Sequence, residues 1–140
     1  MLNYTISALT VNQIEQHLQE CTGMDFGMLI HDYAEKIHSH ATTIALYQDT
    51  HLVGLCACYM NDFATKTAYI THIAISPLYR GRGYGKQLLE YTLQLAKTNG
   101  FDQLNLEVAK NNTPAQNLYL SHGFNLLADR NTKLLLQKVL

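Results

Sequence analysis

The stretch YRGRGYGKQLLEYTL, residues 79–93, places three glycines, two arginines and a lysine at the start of a predicted helix. Glycine destabilises a helix interior by about 1 kcal/mol relative to alanine, so three glycines here suggest that the backbone has a special task. Glycine-rich turns that open a helix bind phosphate groups, because the first N–H groups of the helix lack acceptors and the backbone can approach an anion closely. The stretch therefore predicts a phosphate-binding turn; the alternative is a solvent-facing helix cap with some basic residues.

Two common phosphate-binding patterns do not fit this turn. A nucleoside-triphosphate loop has the pattern G-x-x-x-x-G-K-[ST], but here Arg80 occupies the first glycine position and Gln87 offers no hydroxyl for Mg²⁺. A dinucleotide-binding turn has the pattern G-x-G-x-x-G, but Lys86 occupies the third glycine position and residues 98–101 carry no acidic group for a ribose. The sequence thus argues against both kinds of site.

A third pattern, [QR]-x-x-G-x-[GA], is matched in full by RGRGYG at residues 80–85. In this motif the sequence resembles the GNAT superfamily of acyl-CoA-dependent N-acetyltransferases. The resemblance implies that the backbone of this turn grips the pyrophosphate of acetyl-CoA, the expected co-substrate. The implied cofactor-binding residues are Arg80, Gly81, Arg82, Gly83, Tyr84, Gly85 and Lys86.

A second motif lies downstream, in LEVAKNNTPAQNLYLSHGF at residues 106–124. It is similar to the C-terminal GNAT signature L-E-V-x-x-x-N-x-x-A-x-x-L-Y-x-x-x-G-F, as found in ribosomal-protein alanine N-acetyltransferases. Resemblance is strong over residues 69–129, whereas the N-terminal third agrees only in its order of elements. It implies a single GNAT domain spanning residues 1–140.

The resemblance also assigns roles to individual residues. Tyr119 is expected near the sulfur of acetyl-CoA as general acid, and Glu107, twelve residues earlier, as general base. Asn112 is expected on the pantetheine or phosphate side of the cofactor. The backbone of Ile73, Ala74 and Ile75 is expected to bind the pantetheine amides. The alternatives are a core aromatic for Tyr119 and a purely structural carboxylate for Glu107.

His72 competes with Glu107 for the role of general base. An ordinary histidine pKa of about 6.5 suits proton abstraction near neutral pH better than an ordinary glutamate pKa of about 4.3. A water chain could also carry the proton, and His72 could instead be a hydrogen-bonded histidine within a sheet. The sequence leaves this choice open.

The acceptor is expected to be a primary amine on a small molecule, such as an amino sugar. Deprotonating an amine at pH 7 costs about 4.6 kcal/mol for a lysine-like group but only about 1 kcal/mol for an α-amine, so a low-pKa amine suits a site with few strong bases. The resemblance implies that the region around Asp25, Phe26, Asp32 and Tyr33 lines the acceptor pocket. The alternatives are a protein N-terminus as acceptor, or a non-catalytic acyl-CoA-binding sensor.

The predicted elements follow the order β-α-α-β-β-β-α-β-α-β-β, which is an α+β arrangement rather than the βα alternation of a doubly wound fold. A capping box at Thr10 and Gln13 starts the first helix, and apolar spacing predicts a second helix from Phe26 to about His40. With the resemblance, we expect a mixed, mostly antiparallel sheet of about seven strands flanked by about four helices. The predicted strands are residues 3–9, 42–48, 52–60, 66–76, 103–109, 124–129 and 133–139, and the two later helices 83–99 and 113–122.

Composition limits the partners. The formal charge of −1 shows no excess of basic residues of the kind that binds nucleic acid. No apolar run approaches the roughly 20 residues that a membrane span needs. The N-terminus does not resemble a signal peptide, and three cysteines without a CxxC spacing argue against disulfides or zinc and favour a cytoplasmic location. His31 and His38 are two helical turns apart, too far for one ion without further ligands, so no metal is expected. A homodimer is possible, as in many GNAT proteins.

Overall fold

The computed structural model describes residues 2–6, 8–21 and 23–140, and its elements follow the predicted order. Among these residues no helix is both long enough and apolar enough to cross a membrane. The elements are β1 (Leu2–Ile6), α1 (Val11–Glu20), α2 (Ile30–His40), β2 (Thr42–Gln48), β3 (His51–Asp62), β4 (Thr67–Ile75), α3 (Tyr84–Thr98), β5 (Gln103–Ala109), α4 (Thr113–Ser121), β6 (Asn125–Arg130) and β7 (Lys133–Val139).

The strands form one seven-stranded sheet in the order β1-β2-β3-β4-β5-β7-β6. β4 and β5 pair in parallel, with Thr67 opposite Gln103 and Ile70 opposite Leu106. The pairs β1-β2, β2-β3, β5-β7 and β6-β7 are antiparallel. With the four helices of the described residues, this arrangement confirms the predicted fold class.

Most predicted boundaries agree with the structure within two residues, and two differ by more. The second helix begins at Ile30, not at Phe26, because Gly27 has a φ of +72° and donates its N–H to Asp25 Oδ1 at 2.8 Å, which makes a turn instead of helix. The first strand ends at Ile6, and the predicted Ser7 lies outside the described residues.

The described residues fall into two compact units. One comprises the described residues up to Cys58 with His72–Thr92, and the other Tyr59–Thr71 with Leu93–Leu140, so that β3, β4 and α3 each contribute to both. In the first unit, α1 and α2 bury one face against β2 and β3; this core contains Leu9, Ile14, Leu18, Tyr33, Ala34, Ile37, Ala45, Leu55 and Ala57. The second unit buries alternate residues of β5, which are Leu104, Leu106 and Val108.

The strand β6, which forms one of the two edges of the sheet, is irregular. Its pairing with β7 shifts register between Leu126 and Ala128, so that Leu127 is an extra residue in the strand. Leu126 and Leu127 are 59% and 51% exposed. This edge of the sheet therefore combines a bulge with two neighbouring exposed leucines.

Candidate active site

The predicted phosphate-binding turn connects β4 to α3. Pro77–Tyr79 forms one turn of 3₁₀ helix, and α3 starts at Tyr84. Between them Gly81 and Gly83 have φ angles of +79° and +78°, a region that other residues adopt only at a cost of about 1–2 kcal/mol. Glycine is thus required here by backbone conformation, as the motif predicts.

The space beside these glycines is open. A β carbon added to Gly81 or to Gly83 would meet no other atom within 4 Å. The first N–H groups of α3 follow directly, and a helix start carries about half a positive charge. The turn therefore has the shape and the polarity to receive an anion such as a pyrophosphate.

Ile75, the last residue of β4, supports this turn. Its carbonyl oxygen accepts a hydrogen bond from Arg80 Nε at 3.0 Å. A β carbon on Gly85 would lie 3.8 Å from its Cγ1, and one on Gly54 of β3 only 2.5 Å from its Cδ1. The bond from Arg80 occupies one of the two lone pairs of the Ile75 carbonyl oxygen and ties the side chain of the turn to the end of β4.

The other two basic side chains of the turn are exposed. The guanidinium carbon of Arg82 lies 5.3 Å from the centre of the Tyr79 ring, within the range of a cation–π contact. Lys86 Nζ lies 4.0 Å from Glu90 Oε1, and both side chains are at least half exposed. Neither contact holds its side chain strongly, because exposed cation–π contacts and exposed ion pairs each stabilise a structure by only about 1 kcal/mol or less.

Glu107, on β5, has both carboxylate oxygens engaged. Tyr69 on β4 donates its O–H to Oε1 at 3.2 Å, and Arg130 Nη1 lies 3.3 Å from Oε2. The Glu107 side chain is 27% exposed. The carboxylate is therefore held in one orientation by two residues that the sequence analysis did not identify.

Tyr119 and Asn112 both belong to α4. Tyr119 is 8% exposed, and its ring centre lies 5.7 Å from that of Phe124. Asn112 caps the helix, because its side chain accepts a hydrogen bond from the N–H of Ala115 at 3.3 Å. Asn112 thus stabilises the start of α4, and this role does not depend on a contact with a cofactor.

His72 is buried, and this burial weakens the case for His72 as the general base. Its Nε2 lies 2.9 Å from Nε2 of His17 on α1, and only 3% of the residue is exposed. Burial, helped by the nearby His17, lowers the pKa of His72 to about 3. The ordinary pKa on which its candidacy rested does not hold in this environment.

His17 and Cys21 were missed as partners of His72. Burial lowers the pKa of His17 to about 4 and raises the pKa of the Cys21 thiol to about 11. Cys21 Sγ lies 3.6 Å from His17 Nε2. The available signal was their spacing of four residues, which places both side chains on one helical face.

The histidines considered as a metal pair have separate partners. His31 lies between Glu15, at 3.1 Å, and Glu35, at 2.9 Å. The pKa of His31 is raised, chiefly by the hydrogen bond to Glu15. His38 Nδ1 instead lies 2.9 Å from the carbonyl oxygen of Leu9.

The predicted acceptor region includes one residue close to His72. The Phe26 ring lies 5.2 Å from the Tyr33 ring and 5.9 Å from the His72 ring, measured between centres. The carboxylate of Asp25 is bonded to the Gly27 N–H within the turn before α2. Phe26 therefore lies next to a candidate site residue.

Known proteins resemble this chain in sequence. A ribosomal protein bS18-alanine N-acetyltransferase of Haemophilus influenzae is 32% identical over 100 residues, which cover 71% of this chain and 63% of that protein. A streptothricin acetyltransferase of Escherichia coli is 36% identical over 78 residues, covering 56% and 44%. The chain thus spans less than two thirds of the length of either relative.

Solved structures share the fold over nearly the whole chain. The ribosomal-protein-S18-alanine N-acetyltransferase of Escherichia coli superposes with a TM-score of 0.83 at 19% identity, covering 99% of this chain and 94% of that one. The PaiA N-acetyltransferase of Thermoplasma acidophilum, solved in complex with coenzyme A, has a TM-score of 0.80 at 15% identity, covering 100% and 99%. The sequence model of the acetyltransferase (GNAT) family matches residues 11–124, which include both motifs, and the chain belongs to this family.

Proposed function

We propose that this chain is an N-acetyltransferase that moves an acetyl group from acetyl-CoA directly to a primary amine, without a covalent enzyme intermediate. The observation that carries the proposal is the open turn at residues 80–85, where Gly81 and Gly83 have positive φ directly before the start of α3. Family membership and the intact Glu107 and Tyr119 support an enzyme over a non-catalytic sensor.

The turn is proposed to hold the donor. Acetyl-CoA, when bound, supplies an activated acetyl thioester. The N–H groups of residues 81–86 are proposed to bind its pyrophosphate, and Arg80, Arg82 and Lys86 add positive charge. The Ile73–Ala74–Ile75 backbone is proposed to bind the pantetheine arm, with Asn112 a further contact.

Tyr119 is proposed as the general acid. Its O–H would donate a hydrogen bond, and finally the proton, to the sulfur that leaves. An ordinary phenol has a pKa of about 10 and a thiol about 8.5, so full proton transfer is uphill by about 2 kcal/mol. Stabilisation of the developing thiolate by the hydrogen bond is therefore the larger part of the proposed role.

Glu107 is favoured over His72 as the group that receives the amine proton, directly or through water. A histidine with a pKa near 3 takes up a proton poorly at neutral pH. The Glu107 carboxylate is fixed by Tyr69 and Arg130, which suits a group that orients an amine. Without a strong base, an α-amine is a better acceptor than a lysine side chain.

The proposed acceptor is an α-amine, or one of similar pKa, on a small molecule. The streptothricin acetyltransferases among the relatives are consistent with a small-molecule acceptor. The second candidate, a protein N-terminus, is favoured by the relatives and the solved structure named as ribosomal-protein alanine N-acetyltransferases.

The test is release of CoA thiol over a panel of amines. One matched pair compares an amino-acid amide, which has a free α-amine, with an Nα-blocked lysine amide, which has only the ε-amine. The other pair compares an alanine-initiated peptide with the same peptide carrying a blocked N-terminus. We expect turnover with free α-amines and at least tenfold less with ε-amines. Thiol release at background for every amine, while acetyl-CoA still raises the melting temperature, would favour the sensor instead.

We also propose a cytoplasmic location. Cys21, Cys56 and Cys58 are buried and form no disulfide bond. Cysteines without disulfide bonds are typical of proteins from reducing compartments. Localisation of the full-length protein by microscopy or fractionation tests this point.

A further inference from the structure

The residues His17, Cys21 and His72 bring three metal-binding atoms together inside the first unit. The two Nε2 atoms lie 2.9 Å apart, and Cys21 Sγ lies 3.6 Å from His17 Nε2. The three ligand atoms all lie within 4.8 Å of one another, and all three residues are buried. Two of the residues come from α1 and its C-cap, and the third from β4.

Two of these separations are close to those in the coordination sphere of zinc. With Zn–N bonds of about 2.0–2.1 Å and Zn–S bonds of about 2.3 Å, tetrahedral ligands are separated by about 3.3 Å for two nitrogens and about 3.5 Å for nitrogen and sulfur. The observed values of 2.9 and 3.6 Å need a shift of only a few tenths of an ångström in the nitrogen pair. The third separation, between His72 and Cys21, is within 4.8 Å, so these two side chains would have to approach by up to about 1.3 Å for one ion to contact all three atoms.

The donor set selects the kind of ion. Two imidazole nitrogens and one sulfur, with no carboxylate among them, suit a borderline-soft cation such as Zn²⁺ and not Mg²⁺ or Ca²⁺. Each imidazole offers its Nε2, the atom that faces the other ring, as a ligand. Helical i, i+4 spacing holds His17 and Cys21 on one side of the site.

A plain hydrogen bond between the two histidines does not satisfy this buried cluster. Two neutral rings have one N–H each, and the bond between the Nε2 atoms uses one of them. The accepting ring then carries its hydrogen on Nδ1, and neither Nδ1 has a hydrogen-bond partner among the described residues. An unsatisfied buried donor costs about 1–3 kcal/mol. Coordination through both Nε2 atoms also places a hydrogen on each Nδ1, so the case for an ion rests on the position of the three ligand atoms and not on this cost.

We propose that His17, Cys21 and His72 bind one Zn²⁺ ion through Nε2, Sγ and Nε2. The Cys21 thiol loses its proton to solvent as the Zn–S bond forms, and a fourth position is left for water or another small ligand. The ion links α1 to β4, and the proposal stands independently of acetyl transfer. Because both Nδ1 atoms lack partners, we expect binding about 10–100-fold weaker than at a site where such partners are present.

The test is titration of the full-length, metal-stripped protein with Co²⁺, which reports a thiolate ligand by a charge-transfer absorption band. We expect one Co²⁺ per chain, a charge-transfer band, and displacement by one equivalent of Zn²⁺. Cys21→Ser should abolish the band, whereas Cys58→Ser, at another buried cysteine, should retain it. His72→Asn should weaken Co²⁺ binding, with circular dichroism confirming that each variant is folded.

Two results would overturn the proposal. One is the lack of a charge-transfer band in the wild-type protein under reducing conditions, a result that does not depend on any variant folding. The other is a band that persists in Cys21→Ser, which would assign the thiolate to another cysteine. In both cases the cluster would be a histidine pair with a neighbouring thiol.

Discussion

Gly54 and Ile75 approach so closely that a β carbon on Gly54 would lie 2.5 Å from Ile75 Cδ1. Real side chains do not make such a contact, so an added methyl group forces the end of the Ile75 side chain to move. Ile75 also accepts the Arg80 hydrogen bond through its carbonyl oxygen, and its Cγ1 would lie 3.8 Å from a β carbon on Gly85. Gly54, on β3, therefore packs against the residue that precedes the turn at residues 80–85, although it lies outside both motifs.

This relationship predicts coupling between Gly54→Ala and Ile75→Val. Gly54→Ala should lower the free energy of unfolding by about 1–3 kcal/mol through overpacking, and Ile75→Val alone by about 0.5–1.5 kcal/mol. Because valine has no Cδ1, the double variant should lose less than the sum of the two. Urea unfolding of all four proteins measures the coupling, and strict additivity would contradict the close contact.

Gly81→Ala and Gly83→Ala should each weaken acetyl-CoA binding. A positive φ costs alanine about 1–2 kcal/mol. If the turn must keep this conformation only when acetyl-CoA is bound, the cost corresponds to about 5–30-fold in Kd. Gly100→Ala is the matched control, since Gly100 also has a positive φ, of +89°, and open space around it, but follows the end of α3. Calorimetric titration should show weaker binding for the first two variants only; equal losses in all three would point to general destabilisation.

Tyr119→Phe should lower kcat by more than about tenfold with little change in acetyl-CoA affinity. The phenol oxygen is proposed to act only on the leaving sulfur, whereas the buried ring is kept by phenylalanine. Steady-state kinetics and a cofactor titration separate the two effects. An unaltered kcat would remove Tyr119 as the acid and leave it as a core aromatic beside Phe124.

Glu107→Gln should lower kcat/KM for the amine by more than about tenfold, because the amide keeps an oxygen for Tyr69 but cannot accept a proton. Arg130→Gln should have a smaller effect, since the carboxylate stays in place while losing one partner. Asp129→Asn is the control: Asp129 pairs with Lys110 at 2.7 Å on the surface and should be dispensable. Wild-type rates in Glu107→Gln would contradict the assignment of the base.

Two variants of Asn112 separate its capping role from a cofactor contact. Asn112→Ala should lower the free energy of unfolding by about 1 kcal/mol, and Asn112→Asp should not, because aspartate also caps helices well. If Asn112 also contacts acetyl-CoA, both variants should bind it more weakly. Thermal unfolding and a cofactor titration give the two answers independently; unchanged affinity in both variants would limit Asn112 to the cap.

The order of the elements was predictable from the sequence because local chemistry marks many of their boundaries, and the arrangement of the sheet was expected from the family resemblance. The capping box of Thr10 and Gln13 forms as expected, and β5 begins and ends at the predicted residues. The start of α2 was not predictable from apolar spacing, since Phe26 and Leu29 continue the helical stripe. A single glycine turn, at Gly27, outweighs that spacing locally.

The surroundings of the candidate residues could not be read from the sequence. Glu107 meets Tyr69 and Arg130, which are 38 and 23 residues away, and His72 meets His17 at a separation of 55. Such pairs depend on sheet register and on how a helix packs on a strand, neither of which a motif specifies. The pKa argument for His72 failed for the same reason, because burial is a property of the folded chain.

The bulge in β6 has a consequence for self-association. A regular edge strand exposes a continuous row of N–H and C=O groups, and a second chain can extend the sheet by pairing with it. The extra residue at Leu127 interrupts that row and twists the strand, so sheet extension across two chains is disfavoured at this edge. A homodimer formed here would have to be held by the leucine side chains, and it would weaken when Leu126 and Leu127 were made polar.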